Sequence, residues 1–222
     1  MRESGILMHI TSLPAPYGIG TMGKDAYAFV DFLVRAGQRY WQILPLTPTG
    51  YGDSPYQSLG ACAGSHYLID LDRLADEGLL KKEEIQNIPW GSNPARVDFG
   101  AMYAHRMNVL RQAFQRFTPD GAYETFVEQN RNWLEDYALF TALKDTLGGK
   151  PWLEWPEALR LRKADALAEK RRELSDEIRL QYFVQYEFDR QWKALRSYAN
   201  AKGVRIIGDV PIYVPLDSAD VW

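Results

Sequence analysis

The chain has 222 residues, of which 46% are hydrophobic and 25% are charged, and its formal net charge is −3. This length and composition suffice for a substantial buried core, in one large domain or in a domain with a subdomain. The small negative charge, without a basic segment interleaved with aromatic residues, argues against nucleic acid as a partner. The single cysteine, Cys62, cannot form an internal disulfide, and no apolar run is long enough for a membrane span. We therefore expect a cytoplasmic protein without a membrane partner.

The first part of the chain has the pattern of a strand, a loop, a helix and a second strand. A compact apolar run at residues 5–10 predicts a buried strand, and the proline- and glycine-rich residues 11–20 predict a loop. An apolar stripe with a helical period predicts a helix over residues 23–36, and residues 40–46 predict the second strand. Because this order with buried-type strands favours a parallel sheet, we predict an α/β fold.

The middle of the chain has a different pattern. Residues 60–174 contain no further run that is typical of a buried parallel strand, and they are too many for a simple crossover. Residues 68–74 predict a short strand or a turn, whereas helical patterns cover residues 101–117, 121–147 and 157–174. We interpret residues 60–174 as a mostly helical insertion subdomain.

The strand pattern returns near the end of the sequence. An acidic helix start at residue 175 and a long apolar stripe predict a helix to about residue 202, and residues 204–210 predict a third strand. Asp209 lies near the carboxyl end of that strand, where an isolated carboxylate is costly unless it has a partner. It either contacts a ligand or has a local role, capping a loop amide or pairing with an arginine.

The loop after the second strand holds an unusual density of polar groups. Residues 50–58 combine two tyrosines, a carboxylate, two hydroxyls and an amide, and Gly50, Gly52 and Pro55 restrict where these groups point. In parallel α/β proteins ligands bind at the carboxyl ends of strands. Tyrosine rings suit the apolar face of a sugar and the polar groups suit its hydroxyl rim, so the loop predicts a carbohydrate site.

Several stretches of the sequence, in order, resemble the 4-α-glucanotransferases, which are also called amylomaltases or disproportionating enzymes. They are residues 5–14, 17–20, 50–58, 133–140, 155–156, 207–214 and 217–222. The match extends through essentially the whole chain at the expected spacing. On this ordered set the chain is identified as a member of the family.

The resemblance implies a partial (β/α)8 TIM barrel, with residues 1–59 and 175–222 supplying its first three strands and residues 60–174 the helical insertion. It implies transfer of α-1,4-glucan segments between maltodextrins, amylose or other α-1,4-glucans by a retaining double displacement, with an aspartate nucleophile and a glutamate acid–base. No metal and no organic cofactor is implied.

The resemblance also assigns roles to particular residues. The family's nucleophile follows the fourth barrel strand, and its arginine–hydrophobic–aspartate–histidine string does not occur in these 222 residues. We therefore expect the catalytic carboxylates beyond residue 222, place no catalytic residue in this chain and expect the chain alone to be inactive. Substrate-binding roles are implied for Ser54 and Tyr56 on the donor side of the cleft, for Asp209 near the reaction centre and for Tyr51 at a secondary glucan site. Either tyrosine could instead brace its own loop.

Two other functions are considered. A non-catalytic α-glucan-binding protein derived from this fold would keep the cleft wall without the chemistry. Three parallel strands cannot close a barrel and would leave an unpaired apolar edge, which favours a fragment of a longer enzyme. An α-amylase-type hydrolase fits less well, because the residues after Asp209 lack the asparagine–histidine pair that those enzymes usually carry.

Overall fold

A small parallel sheet has the strand order β1–β2–β3 in the computed structural model, which describes residues 2–93 and 95–222, without the side chain of Tyr51. The strands are β1 (Gly5–Leu7), β2 (Tyr40–Gln42) and β3 (Arg205–Ile207). Ile6 pairs with Trp41, and Trp41 pairs with Ile206. The prediction of a parallel sheet is confirmed, and the carboxyl ends of the three strands lie at one edge.

Helices make up most of the remaining described structure. They are α1 (Lys24–Arg35), α2 (Leu71–Asp76), α3 (Lys82–Gln86), α4 (Phe99–Arg116), α5 (Gly121–Gln129), α6 (Arg131–Thr146), α7 (Glu157–Arg160), α8 (Ala164–Glu173) and α9 (Ser175–Ala201). Short 3-10 turns occupy Ile10–Ser12, Tyr51–Asp53, His66–Leu68 and Trp152–Glu154. No helix among the described residues is long and apolar enough to cross a membrane.

The predicted strands were placed correctly but predicted too long. Hydrogen bonding of the sheet continues one residue past β1 and β2, where Met8 N donates to Gln42 O and Ile43 N donates to Ile207 O. The chain then leaves the sheet, since Pro45 has no N–H to donate and residues 10–12 form a 3-10 turn. The prediction of a strand or turn at residues 68–74 was wrong for its second half, which is the start of α2.

The chain divides into two compact units, each with its own core. The first unit contains Met1–Leu46, Gly64–Thr118 and Glu187–Val210, and the second contains Thr47–Ala63, Pro119–Tyr186 and Pro211–Trp222. The assignment of residues 1–59 and 175–222 to a barrel, with residues 60–174 inserted, stays a prediction.

Trp41 organises the core of the first unit. Its side chain is fully buried at the centre of β2, its indole N–H donates to Met8 O at 2.7 Å, and the Phe29 ring of α1 packs edge-on at 5.1 Å between centroids. The buried side chains around it are Ile10, Leu13, Met22, Ala26, Val30, Leu33, Ile43, Leu68, Leu195, Ala199 and Val204. Burying each large apolar side chain contributes about 1.5–3 kcal/mol, so this cluster holds the sheet and the loops that leave it.

The second unit has an aromatic core. The rings of Phe140, Trp155 and Trp222 pack with centroid separations of 5.3–5.8 Å. The Trp222 indole N–H donates to Leu159 O at 3.1 Å, and the Arg162 guanidinium lies 4.4 Å from the Trp222 ring centroid. These contacts tie the last residues of the chain to α6 and α7.

Candidate functional site

The loop predicted to bind carbohydrate is closed by its own hydrogen bonds. Thr49 and Ser58 form an isolated antiparallel bridge, and the Thr47 hydroxyl donates to Pro55 O at 3.0 Å. Gly50 is required here, because a Cβ atom at this position would lie 2.6 Å from Gln57 O. The two ends of the loop are therefore held together at the backbone.

Ser54 and Tyr56 lie together in the second half of this loop. The Ser54 hydroxyl accepts a hydrogen bond from Tyr56 N at 3.3 Å, and Ser54 O accepts one from Gln57 N at 3.1 Å. The hydroxyl retains its proton as a donor. The Tyr56 side chain is 44% exposed, so it offers an aromatic face and a phenol at the surface of the second unit. Their predicted binding role remains a prediction.

The first half of the loop is a 3-10 turn with left-handed backbone. Gly52 and Asp53 have φ values of 71° and 56°, and Asp53 N donates to Gly50 O at 3.2 Å. Aspartate tolerates this backbone region better than most residues. The predicted contact of the Tyr51 side chain with a glucan lies outside the described residues.

Asp209 belongs to the first unit. It lies two residues beyond β3, at the carboxyl edge of the sheet, and its side chain is partly buried. The next residues are strongly exposed although they are apolar: Val210 is 78% exposed, and in the second unit Ile212 is 90% and Tyr213 is 85% exposed. The sequence predicts Asp209 inside the third strand near its carboxyl end, whereas in the structure it follows that strand. Its contact with a sugar remains a prediction.

Two histidines of the first unit are held neutral. Burial lowers the pKa of His9 from 6.5 to about 4, and among the described residues its Nδ1 has no hydrogen-bond partner. His9 follows β1 and is partly buried. Burial and, secondarily, the charge of Arg106 lower the pKa of His66 to about 3. Neither imidazole carries a positive charge at neutral pH.

Each unit also contains a cavity that the sequence did not predict. In the first unit a cavity of about 650 Å³ lies between residues 11–20, which follow β1, and residues 90–93 and 95–99, which lead into α4. In the second unit a cavity of about 140 Å³ is lined by Gly60, Cys62, Asn132, Trp133, Asp136, Tyr137, Ala219 and Asp220.

The parallel strand–helix–strand unit, with polar loops after its strands, defines an α/β protein, a class in which ligands bind at the carboxyl ends of strands. A family model described as 4-alpha-glucanotransferase (Glyco_hydro_77) matches residues 8–222. The chain belongs to this family.

Individual relatives agree with the family match. A 4-alpha-glucanotransferase of Thermus thermophilus is 50% identical over 227 residues, covering 100% of this chain and 44% of the relative. One of Clostridium butyricum is 47% identical over 217 residues, covering 97% of this chain and 45% of the relative. The amylomaltase of Streptococcus agalactiae, solved in complex with acarbose, superimposes with a TM-score of 0.95 at 47% identity, covering 100% of this chain and 46% of that one. The chain thus spans a little under half the length of the relatives that it matches.

Proposed function

We propose that this chain is the amino-terminal part of a 4-alpha-glucanotransferase that transfers α-1,4-glucan segments between maltodextrins by retaining double displacement. The observation that carries the proposal is the uninterrupted family match over residues 8–222, together with relatives of about twice this length. A metal or an organic cofactor is not part of the proposal.

The proposal places the three strands at the beginning of a (β/α)8 barrel. Two observations support it. Among the described residues β1 and β3 are the edges of the sheet, and Leu7 and Ile207 on these edges are 56% and 43% exposed. Unpaired apolar edges are normally covered or paired, and further strands of a longer protein would do both. The catalytic aspartate and glutamate would then follow later strands, beyond residue 222.

The binding roles follow the same reasoning. Tyr56 is 44% exposed, and its backbone N–H donates to the Ser54 hydroxyl, so an exposed aromatic residue and a hydroxyl belong to the same short segment. A tyrosine ring can stack on a glucose ring, and a serine hydroxyl can bond a sugar hydroxyl. Asp209 follows β3 at the edge of the sheet where barrel enzymes bind substrate. The acarbose complex of the S. agalactiae relative supports an α-glucan as the ligand class.

The test uses a protein extended through all eight strands, incubated with maltotriose. We expect glucose and longer maltodextrins as products from the extended protein and no transfer by the chain of 222 residues alone. Transfer by the short chain would refute the placement of the catalytic carboxylates beyond residue 222.

A matched pair of variants tests the binding loop. In the extended enzyme, Tyr56→Ala should lower the transfer rate by about tenfold or more, since each 1.36 kcal/mol of lost transition-state stabilisation is a factor of ten. Phe32→Ala is the control, because Phe32 on α1 is an aromatic residue of nearly equal exposure, 45% against 44%. Equal rates for the two variants would remove Tyr56 from the substrate cleft.

A further inference from the structure

We propose that the cavity of the second unit, between residues 60–62, the start of α6 and residues 219–220, binds one glucosyl unit of an α-glucan. The choice of glucose among the sugars rests on the proposed function. The existence of a sugar site rests on the shape and lining of the cavity.

The cavity walls are fixed by hydrogen bonds between segments that are distant in sequence. Ala61 N donates to Asp220 Oδ2 at 2.9 Å, and Ala219 N donates to Leu59 O at 2.9 Å. Asp136 on the α6 wall is held by Arg162 at 2.8 Å and by a second arginine, Arg171, at 3.3 Å. A site held in this way is formed before the ligand arrives, which lowers the entropic cost of binding.

The floor of the cavity brings the backbone close to an aromatic ring. A Cβ atom on Gly60 would lie 2.6 Å from Tyr137 Cδ2, so no larger residue fits there without displacing the ring. The Trp133 indole N–H donates to Asn130 Oδ1 at 3.0 Å, which fixes the orientation of the indole. The cavity of about 140 Å³ is smaller than the range of about 300–1,000 Å³ for drug-sized ligands, and it suits a single sugar ring.

The lining has the composition that a neutral sugar requires. Trp133 supplies an aromatic ring to the lining, of the kind that packs on the C–H side of a pyranose, and the Asn132 amide has both a donor and an acceptor. The Asp220 carboxylate keeps acceptor positions after bonding Ala61 N, because a carboxylate has about four lone-pair positions. Such acceptors bind sugar hydroxyls.

Charged ligands fit this lining less well. Neither lysine nor arginine lines the cavity, so an anion finds no cation there. For a metal ion, the described residues contain no group of three or more histidine, cysteine, aspartate and glutamate side chains placed to hold it. An uncharged ligand rich in hydroxyls is favoured.

Cys62 provides a reporter at the cavity, where the residue is exposed and accessible to a reagent. It is the only cysteine of the chain and it lines the cavity. Burial and the charge of Asp220 raise the pKa of its thiol, so it stays protonated at neutral pH and reacts slowly. A ligand in the cavity would cover this thiol and slow its alkylation further.

The experiment measures the rate at which iodoacetamide alkylates Cys62 in the chain of 222 residues, with maltose as the probe and glycerol at equal concentration as the solvent control. We expect maltose to slow alkylation at least threefold and in a saturable manner, with half of the effect at a concentration on the order of 1–10 mM, because one sugar ring makes few contacts. An unchanged rate at about 50 mM maltose, about fivefold above the top of that range, or a slowing that glycerol reproduces, would overturn the proposal.

Conservative variants separate binding from folding. Asn132→Ala removes an exposed amide, and Asp220→Asn keeps a carbonyl oxygen for Ala61 N, so both should leave the circular dichroism spectrum unchanged. Protection is measured against the sugar-free alkylation rate of the same variant. Each substitution should raise the half-saturating maltose concentration at least fivefold over that of the unsubstituted chain. The control Asn108→Ala, an exposed asparagine on α4, should leave it unchanged. Equal protection in all variants would place maltose elsewhere. The maltotriose assay of the extended enzyme does not depend on the outcome of the alkylation experiment. The proposed transfer activity and the proposed sugar site can therefore fail separately.

Discussion

Arg106 on α4 allows a quantitative test of how the first unit is held together. Its side chain is fully buried and donates hydrogen bonds to three backbone carbonyls, those of His66 at 3.4 Å, Tyr67 at 3.0 Å and Ile69. These carbonyls belong to the 3-10 turn His66–Leu68 and to the residue after it, which lead into α2. Arg106→Met keeps an unbranched apolar side chain and removes the donors.

The expected destabilisation is a difference of two terms. Loss of the Arg106 donors costs about 1–3 kcal/mol for each of the three carbonyls, or about 6 kcal/mol in the middle of that range. Against this, burial lowers the pKa of Arg106 from 12.5 to about 10, which corresponds to about 3 kcal/mol of unfavourable burial of charge that methionine does not incur. The net loss of unfolding free energy is therefore about 3 kcal/mol.

Urea unfolding followed by circular dichroism measures this loss directly. The matched control is Arg131→Met on α6, where the guanidinium is 63% exposed and bridges Glu128 and Glu135, and where we expect a change within about 0.5 kcal/mol. A loss below about 1 kcal/mol for Arg106→Met, with an unchanged dependence on urea, would show that the carbonyls find other donors and would refute this reasoning.

Two further predictions concern the loop and the pH dependence. Gly50→Ala, which forces a Cβ atom to 2.6 Å from Gln57 O, should lower maltotriose transfer by the extended enzyme more than Gly52→Ala does. At Gly52 a Cβ atom meets nothing within 4 Å and only the left-handed backbone is strained, so equal effects would contradict the model of a loop closed at Gly50. His9 and His66 have folded pKa values below the unfolded value of 6.5, so the unfolded chain binds more protons and stability falls as the pH decreases below 6.5. Between pH 6.5 and 5 each should cost about 2 kcal/mol, measured by urea unfolding at each pH, and replacing both histidines by glutamine should flatten that dependence.

The sequence predicted what local periodicity determines. The helices α1 and α9 begin and end within one or two residues of their predicted bounds. An apolar helix face and a glycine that follows it can both be recognised from neighbouring residues in the sequence. The long helix predicted over residues 121–147 is instead α5 and α6. Asn130 separates them: its side-chain amide donates to Phe126 O at 2.8 Å and its oxygen accepts from the Trp133 indole at 3.0 Å. A single asparagine inside an apolar stripe carries too little signal to predict that break.

Long-range contacts account for the other differences. The break between α7 and α8 is at Arg162, a non-glycine residue with a φ of 52°. Its guanidinium bonds Asp136 at 2.8 Å and lies over the Trp222 ring, contacts that compensate for the strained backbone and that join residues 26 and 60 positions apart. The start of α2 is likewise fixed by Asp70, whose carboxylate accepts from Arg73 N at 3.0 Å and from the Thr21 hydroxyl at 2.6 Å. Aspartate is among the preferred N-cap residues because its carboxylate can accept a hydrogen bond from the backbone N–H two or three residues later.

The difference between local sequence patterns and long-range contacts also separates the two candidate binding regions. The loop of residues 50–58 could be proposed from its residue types because it is contiguous, whereas the roles of Ser54 and Tyr56 within it came from the family resemblance. The cavity at Cys62 could not, because its walls come from three segments that are joined by the bond of Ala61 N to Asp220 and by Asp136 with its two arginines. Since Asp136 serves both the strained turn at Arg162 and the cavity wall, Asp136→Asn should weaken both. It should accelerate Cys62 alkylation in the absence of sugar as well as reduce protection by maltose, whereas a variant of the ligand-contacting Asn132 should change protection alone.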